Sequence, residues 1–365
     1  MVSPLTPYLR TLTEAKATLS ETELRLCFHI LFTTDVPQVQ SAAFLTALRT
    51  HGFDRDPMII AAAVEAMREF ALTVEVPDNE YIDVVGTGGD GKNTFNVSTT
   101  AGLVTAGMGL RICKHGNRAS TSSSGAADVL MSLGASIQSV TPFTIAQVLN
   151  ESPFCFLFAP VYHPIMAKVA HIRKGLGFPT IFNVLGPLLN PAPISARVIG
   201  VNAPELGEIF AKTIILLDKK AGRMSSCMIV WGEEGLDEIS PAGRTRTWRV
   251  YPGADKVVEG TIEPGDFGLP RHELDTVASG TPQENSETVK KLVNNELDER
   301  HPILDYVLMN AAALAVVSGK TDSWKHGVQL ARASITSGGA KKALEDFVNA
   351  TTKAKSSIEA STVAS

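Results

Sequence analysis

Two stretches of the chain combine glycine with hydroxyl, amide and cationic side chains in the manner of an anion site. The first is Gly86-Thr87-Gly88-Gly89-Asp90-Gly91, directly after the apolar run Tyr81-Ile82-Asp83-Val84-Val85. Glycines there let backbone N–H groups close on an anion. Asn96-Val97-Ser98-Thr99 then opens a small-residue helix. Its first turn offers free N–H donors and a positive dipole end, so a phosphate fits. The hydroxyls of Ser98 and Thr99 can add phosphate bonds or a metal contact. A glycine-rich turn followed by a Ser/Thr cap is the plainer alternative. The second stretch is Lys114-His115-Gly116-Asn117-Arg118-Ala119, followed by Ser120-Thr121-Ser122-Ser123-Ser124. It brings a lysine, an arginine and a run of hydroxyls, and a solvated polar loop is its alternative. Both stretches follow strands, where open α/β sheets bind ligands, and together they suit a ligand with more than one phosphate. Gly86 to Lys92 also fits the start of a P-loop, with Ile214–Asp218 as an acidic strand. That reading is set aside. Asn93 stands where a magnesium-holding Ser or Thr belongs, the loop continues past Lys92, and 214–218 completes a helical pattern.

The elements that must carry these loops alternate. Strands are expected at 81–85, 111–113, 153–159, 196–201 and 227–232. Helices are expected after each anion loop and at 204–217, 286–297 and 302–318. Such alternation predicts an α/β fold with a mostly parallel central sheet and flanking helices. Residues 1–75 read instead as helices alone. Ser20-Glu21-Thr22-Glu23 has the form of a capping box, and Pro37 and Pro57 each open an amphipathic segment. Residues 73–80 read as a hinge and 351–365 as a frayed, flexible tail.

Composition narrows the function. In 365 residues, 33 Lys and Arg face 38 Asp and Glu, a net charge of −5, which argues against a nucleic-acid partner. No stretch reaches the roughly 18–20 apolar residues of a membrane span. The N-terminus lacks the basic-then-apolar order of a signal peptide. Cys27, Cys113, Cys155 and Cys227 form no C-x-x-C pair and have apolar neighbours, which suggests reduced core thiols and a cytoplasmic address.

The segments GTGGD, NVST and KHGNRA, in this order and at these separations, resemble the anthranilate phosphoribosyltransferase family. The likeness continues through 158–191, GLDEISP (235–241), PGDFGL (264–269) and NAAALAV (310–316), and spans about residues 70–350. It implies transfer of the phosphoribosyl group of phosphoribosyl pyrophosphate to the amino group of anthranilate, with release of pyrophosphate, an early step of tryptophan synthesis. It implies a donor site of Gly86, Gly89, Asp90, Thr94, Asn96, Val97, Ser98 and Thr99 with Lys114, His115, Gly116, Asn117, Arg118, Ala119, Ser120, Thr121 and Ser122. Ala126 completes that set, standing where the family usually has a serine. Asp237 and Glu238 resemble the family's magnesium-binding pair, with Ser98 as a further ligand and two ions per site. An exposed acidic turn is the alternative for that pair, since Glu233 and Glu234 lie nearby. Arg173 resembles the arginine that holds the anthranilate carboxylate, a bidentate match. Gly86, Asn117 and His163 join it at the anthranilate site, although a packed helix-start histidine describes His163 equally well. No obligate catalytic base is expected, because an aromatic amine is neutral at pH 7.

The family fold is a helical domain, here 1–75 with about 164–190, and an α/β domain, here about 80–163 and 191–350. The active site would lie in the interdomain cleft of a homodimer. The competing reading is a pyrimidine nucleoside phosphorylase of the same architecture, which needs no acidic metal pair.

Overall fold

The computed structural model describes residues 3–14, 18–77, 80–119 and 122–363. The chain begins with helices Thr6–Leu12, Glu21–Thr33, Gln38–Thr50 and Pro57–Glu69. The sequence dictates their starts. Ser20 and Glu23 form the expected capping box, and Asp56 caps the helix that Pro57 opens by accepting from Met58 N–H at 2.8 Å. Their apolar faces meet around Phe28, whose ring stands edge-on to Phe44 and to Phe182. Phe182 arrives from much later in the chain. After the third strand, helices Ala167–Leu176 and Phe182–Leu185 return to this helical layer, and Val169, Ile172 and Ile181 share its core.

The rest of the molecule is built on a seven-stranded sheet. Its strands are β1 Tyr81–Gly86, β2 Ile112–Gly116, β3 Phe154–Phe158, β4 Ile194–Gly200, β5 Ser226–Gly232, β6 Thr245–Val250 and β7 Val258–Ile262. Their spatial order is β3-β2-β1-β4-β5-β6-β7. The first five strands are parallel, whereas β6 and β7 are antiparallel additions. The order reverses at β1, which has β2 on one side and β4 on the other, so the ligand crevice of such a sheet opens at the carboxyl end of β1. The mostly parallel sheet is the one expected. The sequence reading passes over β6 and β7, because TRTWRV alternates with arginine and threonine and β7 is exposed along most of its length.

The expectation for the C-terminus needs correction. Residues 351–363 continue the helix Gly339–Val363 and are not a frayed tail. Ala343, Phe347, Ala350 and Ala354 bury a helical stripe, and the Phe347 ring stands edge-on to Phe154 at 5.1 Å. Alanines and threonines made that stripe look polar, yet Thr351 is fully buried and accepts Ser136 N–H at 3.0 Å. The preceding helix Trp324–Thr336 was likewise passed over. Among the described residues no helix is long and apolar enough to cross a membrane.

Candidate active site

The glycine loop leaves β1 and turns back at once. Gly88, Gly89 and Gly91 have φ of 65°, 77° and 70°, and Asn93 has 49°, the left-handed region that glycine and asparagine occupy most readily. Asn202, just past β4, pins the turn: its Nδ2 donates to Gly88 O at 2.7 Å and its N–H to Thr87 Oγ1 at 3.1 Å. Beyond the turn, Phe95 N–H donates to Val277 O and Thr94 bridges to Ala278. Asn96 begins the helix Val97–Gly107 without capping it. Its side chain is engaged elsewhere, donating to Ser124 O at 2.9 Å and accepting from Asn285 Nδ2 at 2.8 Å. The helix start therefore keeps its N–H groups for another acceptor. Thr99 Oγ1 is buried there without a partner, while Val97 is buried in the core, so only its backbone can serve a ligand.

Against this loop stands Asp237. Gly88 N–H donates to Asp237 Oδ2 at 2.7 Å. The approach is possible only because of two glycines. A Cβ on Gly86 would lie 2.4 Å from Asp237 Oδ2, and one on Gly200 would lie 1.5 Å from Asp237 O. Burial pushes Asp237 up to about 7, the neighbouring Asp90 carboxylate adds to this, and the Gly88 N–H opposes it. Glu238, half-buried beside it, is held well above the carboxylate range by desolvation first and Asp237 second. Lys114 and the Ser98 hydroxyl act in the other direction. Asn310 fixes the segment by bonding both N–H and C=O of Ile239 at 3.3 Å. The expected metal residues Ser98, Asp237 and Glu238 are thus brought together, with Asp90 added. Among the described residues, no three His, Cys, Asp or Glu side chains already form a metal cage. Hard oxygen donors on desolvated carboxylates nevertheless fit Mg2+, which binds through one or two carboxylates and takes its other ligands from water and substrate phosphates.

The second loop leaves β2. Lys114 is buried on the floor between the loops, donating to Val84 O, and desolvation lowers its affinity for a proton while Asp83 raises it. His115 is buried, and among the described residues its Nε2 has no hydrogen-bond partner. Its ring stands edge-on to His163 at 5.1 Å, and burial holds it down at about 3. His163 is itself buried, bonded through Nε2 to Leu189 O at 3.1 Å, and held at about 4, again by burial. Asn117 is exposed. Arg118 pairs with Asp128 at 3.3 Å and lies over the Phe158 ring. The other Asp128 oxygen accepts Ala119 and Gly125 N–H, each at 3.1 Å, so one carboxylate gathers both ends of the loop. Ser120 and Thr121 lie outside the described residues. Ser122 bonds to Ser124 O, and Ser123 to Asn93 Oδ1 at 2.9 Å, which joins the second loop to the first. Ala126 is the first residue of the helix Ala126–Ser132.

Arg173 stands apart, half-buried on the helix Ala167–Leu176. Its guanidinium lies over the Phe182 ring at 5.6 Å and reaches Asn183 Oδ1 at 3.5 Å. A cleft of about 1080 Å³ opens at the amino ends of β4 and β5, remote from both loops. Sequence reasoning missed Asp83, Asn190, Asn202, Asn285 and Asn310. Asp83 and Asn310 had a readable signal, as polar residues inside the apolar runs YIDVV and LMNAAALAV.

A helical layer, a parallel sheet with two anion loops at its switch point and an acidic pair facing them define a sugar-phosphate-handling transferase. The comparisons agree. Residues 6–71 match the glycosyl transferase family, helical bundle domain, and residues 78–341 match the glycosyl transferase family, a/b domain. The anthranilate phosphoribosyltransferase of Schizosaccharomyces pombe is 48% identical over 320 residues, covering 87% of this chain and 88% of that one. That of Saccharomyces cerevisiae is 42% identical, covering 84% and 85%. A solved structure of the Saccharomyces cerevisiae enzyme in complex with PRPP and Mg matches with a TM-score of 0.89 at 38% identity, over 97% of this chain and 99% of that one. The same yeast enzyme in complex with 4-fluoroanthranilate matches with a TM-score of 0.86 at 37% identity, over 96% and 98%. The chain belongs to the anthranilate phosphoribosyltransferase family.

Proposed function

We propose an assignment of this site's residues to the family's reaction. The chain transfers the phosphoribosyl group of phosphoribosyl pyrophosphate to the amino group of anthranilate, a step of tryptophan synthesis. The observation that carries the assignment is the Gly88–Asp237 bond, which ties the acidic pair to the anion loop. The open helix start at Asn96–Thr99, with the hydroxyls of Ser98 and Thr99, takes the pyrophosphate. Lys114 and the loop through Ser122 take the rest of the donor, and Ala126 contributes van der Waals contact in place of a hydroxyl. Arg173 holds the carboxylate of anthranilate, with Gly86 and Asn117 beside the ring. His163 acts from behind, through its packing on His115. Asp237, Glu238 and Ser98 would hold Mg2+, two ions per site, which when bound stabilises the departing pyrophosphate charge. The protein's own contribution is orientation and fixed N–H dipoles. The amine attacks through its neutral lone pair, so no side chain need serve as base.

The helical segments 1–75 and 164–190 then form one wall of the cleft. Leu26, Val39 and Met58 expose apolar surface on the N-terminal helices, which supports a homodimer through that layer. Four buried free thiols support a cytoplasmic setting. Calorimetric titration of Mg·phosphoribosyl pyrophosphate tests the loop assignment. Replacing Ser98 and Thr99 by alanine should weaken donor binding by about tenfold or more, the loss of two hydrogen bonds to a charged group. Unchanged affinity would remove that helix start from the donor site. Titrating Mn2+ by electron paramagnetic resonance in the presence of donor should give two ions per chain, and sedimentation equilibrium should give twice the 38.9 kDa chain mass.

A further inference from the structure

Rungs of a parallel ladder are evenly spaced. β1 and β2 form the rung at Ile82 and Ile112, with Ile82 N–H on Arg111 O at 2.9 Å, and their register pairing goes no further. On its other side β1 pairs with β4 from Tyr81 to Gly86, and β2 pairs with β3 from Ile112 to Gly116. The next β1–β2 rung would join Val84 to Cys113 and His115. Three of its backbone groups, Cys113 O, His115 N–H and Val84 O, are taken by side chains instead. Cys113 O accepts Asn190 Nδ2 at 2.8 Å, His115 N–H donates to Asp83 Oδ1 at 3.2 Å, and Val84 O accepts Lys114 Nζ. Asp83 Oδ2 also accepts Asn190 Nδ2, at 2.9 Å, and Asn190 Oδ1 accepts Ala192 N–H at 3.0 Å. Asp83, Lys114 and Asn190 are 1%, 3% and 6% exposed, so the whole cluster is desolvated.

A buried acid, cation and amide are costly to place where two backbone groups would have satisfied each other. What they achieve is spacing. The missing rung lies directly beneath the points where the two anion loops leave the sheet, Gly86 and Gly116. We infer that Asp83, braced by Asn190, is a positioning residue that props β1 and β2 apart and thereby sets the separation of the two loops that grip the donor. It touches no substrate, and its role rests on the loop assignment above.

The test is steady-state kinetics with both substrates varied, beside a thermal midpoint for each variant. Asp83→Asn keeps the size and an acceptor for His115 N–H but removes the charge. Asn190→Ala removes the brace and leaves Asp83 in place. Both should raise KM for phosphoribosyl pyrophosphate by about tenfold or more, as supporting partners of binding groups do. KM for anthranilate, and kcat at saturating donor, should stay within about twofold. A folded variant whose donor KM is within about twofold of the parent overturns the inference. So does a uniform change in kcat and both KM values that tracks the thermal midpoint, since a purely structural role predicts that. Asn96→Ala is the control. If its donor KM is also unchanged, the loop assignment fails and the inference falls with it.

Discussion

The proposed donor side and the proposed acceptor side of this site are built differently. The glycine loop is tied by Asn202, Asp237, Asn96 and Asn285 through bonds of 2.7–2.9 Å, and nearly all of these partners come from distant elements. Arg173, by contrast, is one half-buried side chain on the helical layer, steadied by an aromatic face and a single 3.5 Å contact. The difference follows the chemistry. Charge develops on the departing pyrophosphate, and donors aimed at it are effective only if they need no reorganisation. The carboxylate of anthranilate keeps its charge throughout, so a guanidinium that binds ground and transition states alike suffices. Damage to the groups that meet the departing pyrophosphate and its metal should therefore reach kcat, damage to the scaffold behind them should raise donor KM, and damage at Arg173 should be confined to KM for anthranilate.

The largest break in that comparison should come from the acidic pair. Asp237→Asn with Glu238→Gln should lower turnover by roughly a thousandfold and leave a residue indifferent to Mg2+, as loss of the main electrostatic stabiliser does. A Mg2+ titration of initial rates reads this directly. Next comes Gly200→Ala. Its Cβ would meet Asp237 O at 1.5 Å, so backbone must move, and donor KM should rise roughly tenfold to a hundredfold with a lower thermal midpoint. Arg173→Ala should raise KM for anthranilate by about ten- to a hundredfold, the value of a charged hydrogen-bonded contact, and leave donor KM unchanged. Arg173→Lys should recover only part of this, because an ammonium cannot match a carboxylate bidentately.

The smallest effect concerns pH. Burial holds His115 at about 3 and His163 at about 4, against an unperturbed value near 6.5. Between about pH 6.5 and 4 the unfolded chain takes up protons that the native state excludes. These two residues therefore remove stability as pH falls through that window and contribute no slope above it, by up to about 1.4 kcal/mol per unit for each histidine. Nuclear magnetic resonance of the imidazoles should find both neutral down to pH 5. A charged ring at either position at pH 6 would contradict their placement.

Much of this was legible in the sequence, for physical reasons. Strands β1 to β5 are apolar runs punctuated by glycine or small-residue helices, and both anion loops announce themselves by composition. The illegible part depends on partners far apart in the chain. Nothing local marks Asn202 as the clamp on Gly88 or Asn285 as the clamp on Asn96. Nothing local marks Asp128 as the ion-pair partner of Arg118 either. The edge-on packing of His115 on His163 likewise has no local sequence signal. The helix Gly339–Val363 was hidden by alanine and threonine, which bury well but score as polar or neutral.

The measurement that bears most directly on the account is anthranilate fluorescence followed over time, with and without phosphoribosyl pyrophosphate and with and without Mg2+. Loss of signal is expected only when donor and metal are both present, with Asp237→Asn plus Glu238→Gln abolishing the metal dependence. Persistent fluorescence from folded protein at every Mg2+ concentration, or a decay that does not need the donor, would contradict it.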